Sequence, residues 1–315
     1  MKQALVLGGS GFMGFNLGLR LSNEGWFVRL FDINFPLDRT NYLRDIKTIE
    51  VCHGNFFNHK DLDEALKGVD RVFHFISTTV PSTSKENLEV EVETNLLGTV
   101  RLLELMRNQN VSEIIYPSSG GTVYGQPREE LISEEEKTEP ECTYGLGKKL
   151  IEEIICYYCK NMGFKYRILR ISNPYGDFHK ANRRQGVIDA FLANVLNEIP
   201  LTIWGTGENI RDFIFIEDVI DAIISLDKTE KWNETYNIGT GKGTSVRKII
   251  EFIKEVTNKN VECIYTGNEY SGVSRNVLDI SKINNHAGWY PKYEIREGIE
   301  RTWNNLLRYS RKLEG

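Results

Sequence analysis

The chain has 315 residues, with 39 Lys and Arg against 44 Asp and Glu, which gives a formal net charge of −5. Hydrophobic residues make up 40% and charged residues 26% of the sequence. These values are typical of a globular enzyme and exclude a disordered chain, a collagen-like repeat and a small disulfide-rich scaffold. The mild acidity argues against non-specific nucleic-acid binding, because that requires a concentrated basic surface.

The five cysteines are scattered along the chain, and an odd number without paired spacing is typical of reduced thiols. Cys156 and Cys159 form a C-x-x-C pattern without a second ligand pair nearby, so two packed thiols are favoured and no metal site is predicted. No run approaches the ~20 apolar residues of a membrane span. The apolar segment after Met1 is too short for a signal peptide and has no cleavage site behind it. We therefore expect a cytoplasmic protein that binds neither nucleic acid nor membranes.

The first 160 residues alternate between short β-branched runs and helical patterns. This alternation predicts βαβ units and a parallel sheet covered on both faces. Gly25 follows the first helix and suits a left-handed C-terminal cap. The predicted strands span residues 4–7, 27–31, 48–51, 71–75, 113–117 and 166–171. The predicted helices span residues 12–23, 60–66, 90–107 and 144–161.

After residue 171 the alternation breaks at the segment Asn173-Pro174-Tyr175-Gly176. A strand at 212–215 with a helix at 217–226 is predicted to return to the main sheet, and further helices are predicted at 246–256, 281–286 and 295–308. The layout predicts a doubly wound parallel α/β (Rossmann) sheet with a smaller, discontinuous α/β substrate domain. We divide the chain into 1–172 plus 212–239 for the first domain and 173–211 plus 240–315 for the second. Ligands of such folds bind in the crevice at the carboxyl ends of the strands.

Three glycines directly follow the first predicted strand, at Gly8, Gly11 and Gly14. They permit a tight turn, close approach of the backbone to a pyrophosphate, and close packing of the helix on the strand. The helix N-terminus offers N–H groups and a positive dipole end to the phosphates. Asp32 ends the second strand eighteen positions after Gly14, where a carboxylate accepts hydrogen bonds from ribose hydroxyls and repels a 2′-phosphate. The motif therefore predicts NAD binding, and Asn55 after the third strand is placed to reach the adenine.

A second motif places Tyr144 and Lys148 four residues apart at a helix start, so both project from one face. A phenol with a pKa of ~10 is a poor base at neutral pH. A nearby ammonium and a positively charged nicotinamide ring both favour the phenolate, which predicts a lowered pKa for Tyr144 and a role in proton transfer.

Motifs spread over nearly the whole chain resemble the extended short-chain dehydrogenase/reductases, and within them the nucleotide-sugar epimerase/dehydratase family. Besides the two motifs above, the resemblance rests on Asn95, the segment 118–125 (SSGGTVYG), Asn173-Pro174-Tyr175-Gly176, Arg211-Asp212, and the C-terminal segments 277–282 and 288–291. It implies a transient 4-keto sugar and an NAD-dependent 4-epimerase for a nucleotide-activated hexose of the UDP-glucose or UDP-N-acetylglucosamine type.

The resemblance also implies the site residues. Tyr144 is the implied base for the sugar 4-hydroxyl and Lys148 its electrostatic partner, with Ser119 as the third catalytic residue. The implied cofactor contacts are Gly8, Gly11, Phe12, Met13, Gly14, Asp32, Asn55, Phe56, Phe75, Ile76, Ser77, Ser118, Tyr144 and Lys148. The implied substrate contacts are Asn173, Gln185, Gly186, Val187, Trp204, Arg211 and Arg275. Trp204 is expected beside the nucleotide base, and Arg211 on the diphosphate, a task that suits a forked guanidinium.

The chain departs from the family where the catalytic serine or threonine aligns with Gly120, which has no hydroxyl. Ser119 or Thr122 is the candidate replacement, and Ser119 is the one we predict. The Thr-Asp-Glu sequence of 4,6-dehydratases is Gly120-Gly121-Thr122 in this chain, which argues against that reaction. Asn276 aligns near the residue that limits the 2-substituent of the sugar, and its small size favours an N-acetylated substrate.

Two other functions stay open at this stage. The first is a 4-ketoreductase that consumes NAD(P)H and acts on a nucleotide-linked 4-keto-6-deoxy sugar, using the same Tyr144 and Lys148. The second is a non-enzymatic dinucleotide sensor, against which the Tyr/Lys pair argues. The family resemblance also implies a homodimer through the helices 90–107 and 144–161, and the second helix carries much apolar surface.

Overall fold

The computed structural model describes residues 1–79, 88–178, 186–267 and 273–313. Its strands, numbered in chain order, are β1 (Gln3–Leu7), β2 (Phe27–Asp32), β3 (Ile49–His53), β4 (Arg71–His74), β5 (Glu113–Ser119), β6 (Lys165–Ile171), β7 (Asn173–Tyr175), β8 (Leu201–Trp204), β9 (Ile210–Phe215), β10 (Glu234–Ile238), β11 (Gly243–Ser245), β12 (Cys263–Thr266) and β13 (Arg275–Asn276). Its helices are α1 (Phe12–Asn23), α2 (Leu37–Leu43), α3 (His59–Leu66), α4 (Leu88–Val90), a π-helical segment (Glu91–Leu96), α5 (Leu97–Asn108), α6 (Thr143–Met162), α7 (Val187–Leu196), α8 (Ile216–Asp227), α9 (Val246–Thr257), α10 (Ser281–Ala287) and α11 (Ile295–Leu313).

Seven parallel strands form the main sheet in the order β10-β6-β5-β4-β1-β2-β3. The strand order reverses between β1 and β4, which is the switch point where ligands of doubly wound sheets bind. Side chains of β1 alternate between two cores: Ala4 and Val6 pack on one face of the sheet, and Leu5 and Leu7 on the other. Because alternate side chains point to opposite faces and both faces are covered by an apolar core, every residue of the strand from Ala4 to Leu7 is hydrophobic. The predicted fold class is confirmed.

The prediction that the strand at 212–215 returns to the main sheet is wrong. This segment is part of β9, which lies in a second sheet of order β11-β9-β13, with β7 paired to its other part. The seventh strand of the main sheet is β10. Its sequence, Glu-Thr-Tyr-Asn-Ile, is mostly polar, although its last three residues are buried. Periodicity identifies a strand but not the sheet that it joins. The division into two domains stays a prediction.

The helix predicted at 90–107 is α4, the π-helical segment and α5 in one continuous run. Gly25 has a φ of +85°, as the cap after α1 requires. Within the described ranges, no helix is both long enough and apolar enough to cross a bilayer.

Candidate active site

The glycine loop after β1 is closed by its own backbone. The Gly8 amide donates to Phe31 O at 2.9 Å, and the Gly11 amide donates to Gly8 O at 2.9 Å. Gly8 has a φ of +80°, a conformation open mainly to glycine. A Cβ at Gly11 would stand 2.9 Å from Gly8 O, and one at Gly14 would overlap the same oxygen. The loop therefore excludes side chains at the positions that the sequence motif requires to be glycine.

The N-terminus of α1, where Phe12 and Met13 lie, has no side-chain cap and no acidic residue in its first turn. Asp32 ends β2 beside it, and its Oδ2 accepts from the Ser10 amide at 3.1 Å and the Ser10 hydroxyl at 2.8 Å. An uncapped helix N-terminus behind a glycine turn, with a fixed carboxylate alongside, matches the pyrophosphate and the adenosine ribose of NAD. The described residues thus fit this cofactor.

Arg39 is a site residue that sequence reasoning missed. It is 2% exposed, and its guanidinium donates to Ser10 O, to Gly11 O at 2.7 Å and to Phe178 O at 2.6 Å. The helix that carries it, α2, is short and mostly polar, so no apolar periodicity in the sequence predicts a buried side chain there. Arg39 therefore holds the backbone of the glycine loop and links it to the segment after β7.

The remaining predicted cofactor residues follow β3 and β4 at the same edge of the sheet. Asn55 is exposed, and its side-chain oxygen accepts from the Phe57 amide at 2.9 Å, so it stabilises a turn. Phe56 is buried against Gly98 and stacks near His74, with ring centroids 5.2 Å apart. Phe75 and Ile76 lie against Gly8, and the exposed Ser77 follows them.

Tyr144 and Lys148 lie on one face of α6, as predicted from their spacing. Lys148 is 6% exposed, its Nζ donates to Pro117 O at 3.0 Å, and it lies 5.6 Å from the centroid of the Tyr144 ring. Burial lowers the pKa of Lys148 to about 8. Burial, followed by the charge of Glu91, raises the pKa of Tyr144, whereas the sequence argument expects it to fall. The loss of hydration on burial is the largest cause of this shift.

Ser118 follows Pro117, the residue whose carbonyl accepts from Lys148, and is 5% exposed. Its hydroxyl donates to Glu152 on α6, and Arg170 on β6 donates to the same carboxylate at 2.8 Å. Arg170 also donates to the Tyr124 hydroxyl at 3.0 Å. The ionised partners are mutually satisfied, as buried charges require. The Ser118 hydroxyl therefore links β5 to α6, the helix that carries Tyr144 and Lys148.

Gly120 is enclosed on the side where a Cβ would lie. A Cβ there would stand 2.6 Å from Leu278 Cδ1 and 2.9 Å from Arg170 O, and Asn276 Nδ2 donates to Gly120 O at 3.0 Å. The missing hydroxyl thus has no room at this position. Sequence reasoning found the glycine but not the contacts that enforce it, because Leu278 and Asn276 are some 160 residues away.

The two candidate hydroxyls flank Gly120. Ser119 Oγ and Asn173 Oδ1 each lie 3.9 Å from the position of a Cβ on Gly121, so they border one space. Asn173 is held there because its Nδ2 donates to Asp212 O at 2.9 Å. Thr122 Oγ1 is buried and, among the described residues, has no hydrogen-bond partner.

The other predicted substrate residues lie on the second sheet and its neighbours. Arg211 on β9 is beside β13, where Asn276 is its register partner and Arg275 pairs with Ile210. Trp204 ends β8 and is 61% exposed. Gly186, with a φ of +83°, precedes Val187 at the start of α7. Gln185 lies outside the described residues.

Comparison with known proteins agrees with this geometry. The model of the NAD dependent epimerase/dehydratase family matches residues 4–239. A putative UDP-glucose 4-epimerase of Methanocaldococcus jannaschii is 35% identical over 304 residues, which cover 95% of this chain and 97% of the relative. A dTDP-4-dehydro-6-deoxyglucose reductase of Escherichia coli is 29% identical over 309 residues, covering 94% and 95%. The crystal structure of the UDP-glucose 4-epimerase of Thermotoga maritima with UDP-glucose has a TM-score of 0.91 and 27% identity, covering 98% of this chain and 99% of that one.

The parallel sheet with its glycine loop and Tyr/Lys pair defines an enzyme of the short-chain dehydrogenase/reductase class. More narrowly, the chain belongs to the NAD-dependent epimerase/dehydratase family, whose members act on nucleotide sugars, and its cofactor is NAD. The predicted family and cofactor are confirmed.

Proposed function

We propose that the protein is a 4-epimerase of a UDP-activated hexose, of the UDP-glucose or UDP-N-acetylglucosamine type. The observation that carries this proposal is the convergence of three groups at one edge of the sheet. The glycine loop follows β1, Asp32 ends β2, Ser119 ends β5, and Tyr144 lies in the first turn of α6. The similarity to epimerases of Methanocaldococcus jannaschii and Thermotoga maritima supports the choice of reaction.

The glycine loop with Asp32, Asn55 and Phe56 would hold NAD at its adenosine and pyrophosphate, and Phe75 to Ser77, Ser118, Tyr144 and Lys148 would line its nicotinamide half. When bound, NAD would supply reversible hydride transfer at C4 of the sugar. In that setting Tyr144 Oη would remove the proton of the 4-hydroxyl and return it after the 4-keto sugar has rotated. The Lys148 ammonium would stabilise the phenolate, because a positive charge nearby favours the ionised form.

The sugar would be oriented by Ser119 and Asn173, whose side-chain oxygens border the same space beside Gly121. The nucleotide would lie across the second sheet, with Trp204 beside the base, Arg211 and Arg275 near the diphosphate, and Gln185, Gly186 and Val187 contributing backbone contacts. An exposed indole is a suitable stacking surface, and a guanidinium pairs with phosphate oxygens through two parallel hydrogen bonds.

A 4-ketoreductase is the second candidate, and a specific observation favours it. That observation is the 29% identity with the dTDP-4-dehydro-6-deoxyglucose reductase of Escherichia coli, over 94% of this chain. Asp32 favours NAD over NADPH, so NADH would be the reductant at this site.

We also propose a homodimer through α4, the π-helical segment, α5 and α6. The apolar surface expected on α6 is largely used within the subunit, because Ile151 and Ile155 are buried in the core. The large apolar side chains that remain exposed on these helices are Leu88, Val92, Leu97 and Tyr157. Exposed apolar side chains on both helical segments favour contact with a second copy.

The test is proton NMR of the purified protein with UDP-glucose and, separately, UDP-N-acetylglucosamine, with no cofactor added. Appearance of the galacto epimer in either sample is expected, and Tyr144→Phe should lose turnover by about 10²–10⁴-fold while NAD stays bound. No epimer in either sample, together with reduction of a nucleotide-linked 4-keto-6-deoxy sugar by NADH, would establish the ketoreductase instead.

A further inference from the structure

Glu91 is a buried acidic residue to which neither the sequence motifs nor the proposed mechanism gives a role. It begins the π-helical segment and is 2% exposed, whereas Glu93 in the same segment is exposed. A carboxyl group taken from water is costly unless other groups compensate for the lost hydration. Single π-helical turns occur frequently at functional sites.

A chain of hydrogen bonds fixes one oxygen of Glu91 as an acceptor. The Thr78 amide donates to Asn95 Oδ1 at 3.0 Å, which directs the amide nitrogen of Asn95 to Thr79 Oγ1 at 3.2 Å. The Thr79 hydroxyl accepts there, so its own hydrogen is donated to Glu91 Oε2. This network therefore occupies Glu91 Oε2 and holds the carboxyl group in one orientation.

The other oxygen of Glu91 lies against the first turn of α6. A Cβ on Gly147 would collide with Glu91 Oε1, so the carboxylate occupies the space that a side chain between Tyr144 and Lys148 would need. Among the described residues, Glu91 forms no ion pair within 4 Å, so its charge acts on Lys148 across a longer distance, through its position against Gly147. Glu152, the other carboxylate near Lys148, is already paired with Arg170 at 2.8 Å.

Lys148 is a nearly buried ammonium whose hydrogen bond to Pro117 O involves an uncharged acceptor. Burial lowers its pKa to about 8, and the charges of Glu91 and then Glu152 oppose that fall. Since Glu152 is shared with Arg170, Glu91 is the carboxylate whose charge is left to balance Lys148.

We propose that Glu91 is a positioning residue, the counter-charge that keeps the buried Lys148 ammonium protonated and that packs against Gly147 to set the first turn of α6. This inference rests on the proposed role of Lys148. Replacing the carboxylate would leave the ammonium without its compensating charge, and Lys148 would become neutral at the pH where Tyr144 needs it.

Several other titratable groups face this pair from the elements packed around it. Tyr144 and Glu152 lie on α6 and Cys142 caps it, while His74 ends β4 and Tyr116 is in β5. Burial, followed by the Lys148 charge, lowers the pKa of His74 to about 3, so this ring is neutral near pH 7. Burial keeps the pKa of Tyr116 well above its ordinary value. Neither group therefore changes charge across the range in which Lys148 titrates.

The experiment follows the ¹³Cε resonance of Lys148 against pH in the purified holoprotein, assigned by its absence in Lys148→Met. We expect Glu91→Gln to lower the midpoint by about one unit or more. Glu91→Asp should restore part of the shift, and Glu93→Gln, its exposed neighbour, should leave the midpoint unchanged. A midpoint for folded Glu91→Gln that matches the wild type would overturn the proposal.

If Glu91→Gln does not fold, the wild-type protein still decides the matter. Coupled sites report each other's titration, so the ¹³Cδ resonance of Glu91 must shift at the pH where Lys148 titrates, and a flat resonance contradicts the proposal. Turnover adds a separate readout, because kcat of Glu91→Gln should peak at a lower pH with KM little changed. The NMR measurements need no substrate, so a failed epimerase assay would leave this inference standing.

Discussion

At the scale of single residues, the chain shows how one absent side chain is enforced by its surroundings. Gly120 takes the place of the family's serine or threonine, and Leu278, Arg170 O and Asn276 fill the space around it. A hydroxyl for the substrate must then come from a neighbour. Ser119 borders the space that Asn173 also reaches, whereas Thr122 Oγ1 is buried without a partner among the residues described.

We predict that Ser119→Ala lowers kcat of the 4-epimerase reaction by tenfold or more, on the order of a lost transition-state hydrogen bond, with a smaller effect on KM. Thr122→Val should lower kcat less than Ser119→Ala does. Thr122→Ser is the matched control, because it keeps the hydroxyl. The reverse order, with Thr122→Val more damaging than Ser119→Ala, would transfer the catalytic role to Thr122.

At the scale of elements, the β1 loop and α1 form one unit in which backbone contacts decide the shape. The backbone at Gly11 and Gly14 lies so close to the carbonyl oxygen of Gly8 that a Cβ at either position would collide with it. Arg39 then ties the carbonyls of Ser10 and Gly11 to Phe178. The loop is therefore held in shape by the protein alone, and the amides at the start of α1 are positioned before a ligand arrives.

We predict that Gly14→Ala weakens NAD binding at least tenfold and lowers the melting temperature, because its Cβ overlaps Gly8 O and the loop must move. Gly267→Ala is the control, since Gly267 is exposed and a Cβ there meets nothing within 4 Å. Isothermal titration calorimetry with the NAD-depleted protein measures the first effect, and equal affinity in both variants would show that the loop tolerates the side chain.

At the scale of the whole molecule, buried ionisable groups couple folding to pH. His74 is 2% exposed, and burial with the Lys148 charge lowers its pKa to about 3. The unfolded chain binds a proton at this histidine below pH ~6.5, while the folded protein does not bind it until about pH 3. The stability contribution is therefore complete above pH ~6.5 and is lost as the pH falls.

We predict that His74→Gln reduces the fall in the free energy of unfolding between pH 6 and pH 4 by up to ~1.4 kcal/mol per pH unit, the slope for one proton. Gln preserves a partner for Thr99, which lies 3.1 Å from His74 Nε2. Urea unfolding at a series of pH values gives the slope. His53→Gln, at an exposed position, should leave it unchanged, and equal slopes in all three proteins would contradict the assignment.

The proposed dimer is also a property of the whole molecule. Leu97 on α5 is 42% exposed, and we predict that Leu97→Glu converts the dimer to monomers in size-exclusion chromatography with light scattering. Ile199→Glu, at an apolar residue that is 52% exposed away from these helices, should remain dimeric. If the wild-type protein is monomeric at micromolar concentration, the proposed dimer interface is wrong.

The sequence by itself determined the parallel sheet, the NAD loop and the Tyr144/Lys148 pair. Each depends on spacing within one short segment, such as three glycines after a strand or two residues four apart on a helix, and local geometry fixes the outcome. The boundaries of α1 were predicted to the residue for the same reason.

Only the tertiary structure decided which sheet β9 joins, how Gly120 is enclosed, and that Arg39 and Glu91 are buried at the site. These depend on contacts between residues far apart in sequence, and no periodicity distinguishes Glu91 from Glu93 before the chain has folded. The pKa values of Tyr144 and Lys148 belong to the same class, because burial, the leading cause of both shifts, is a property of the packed protein.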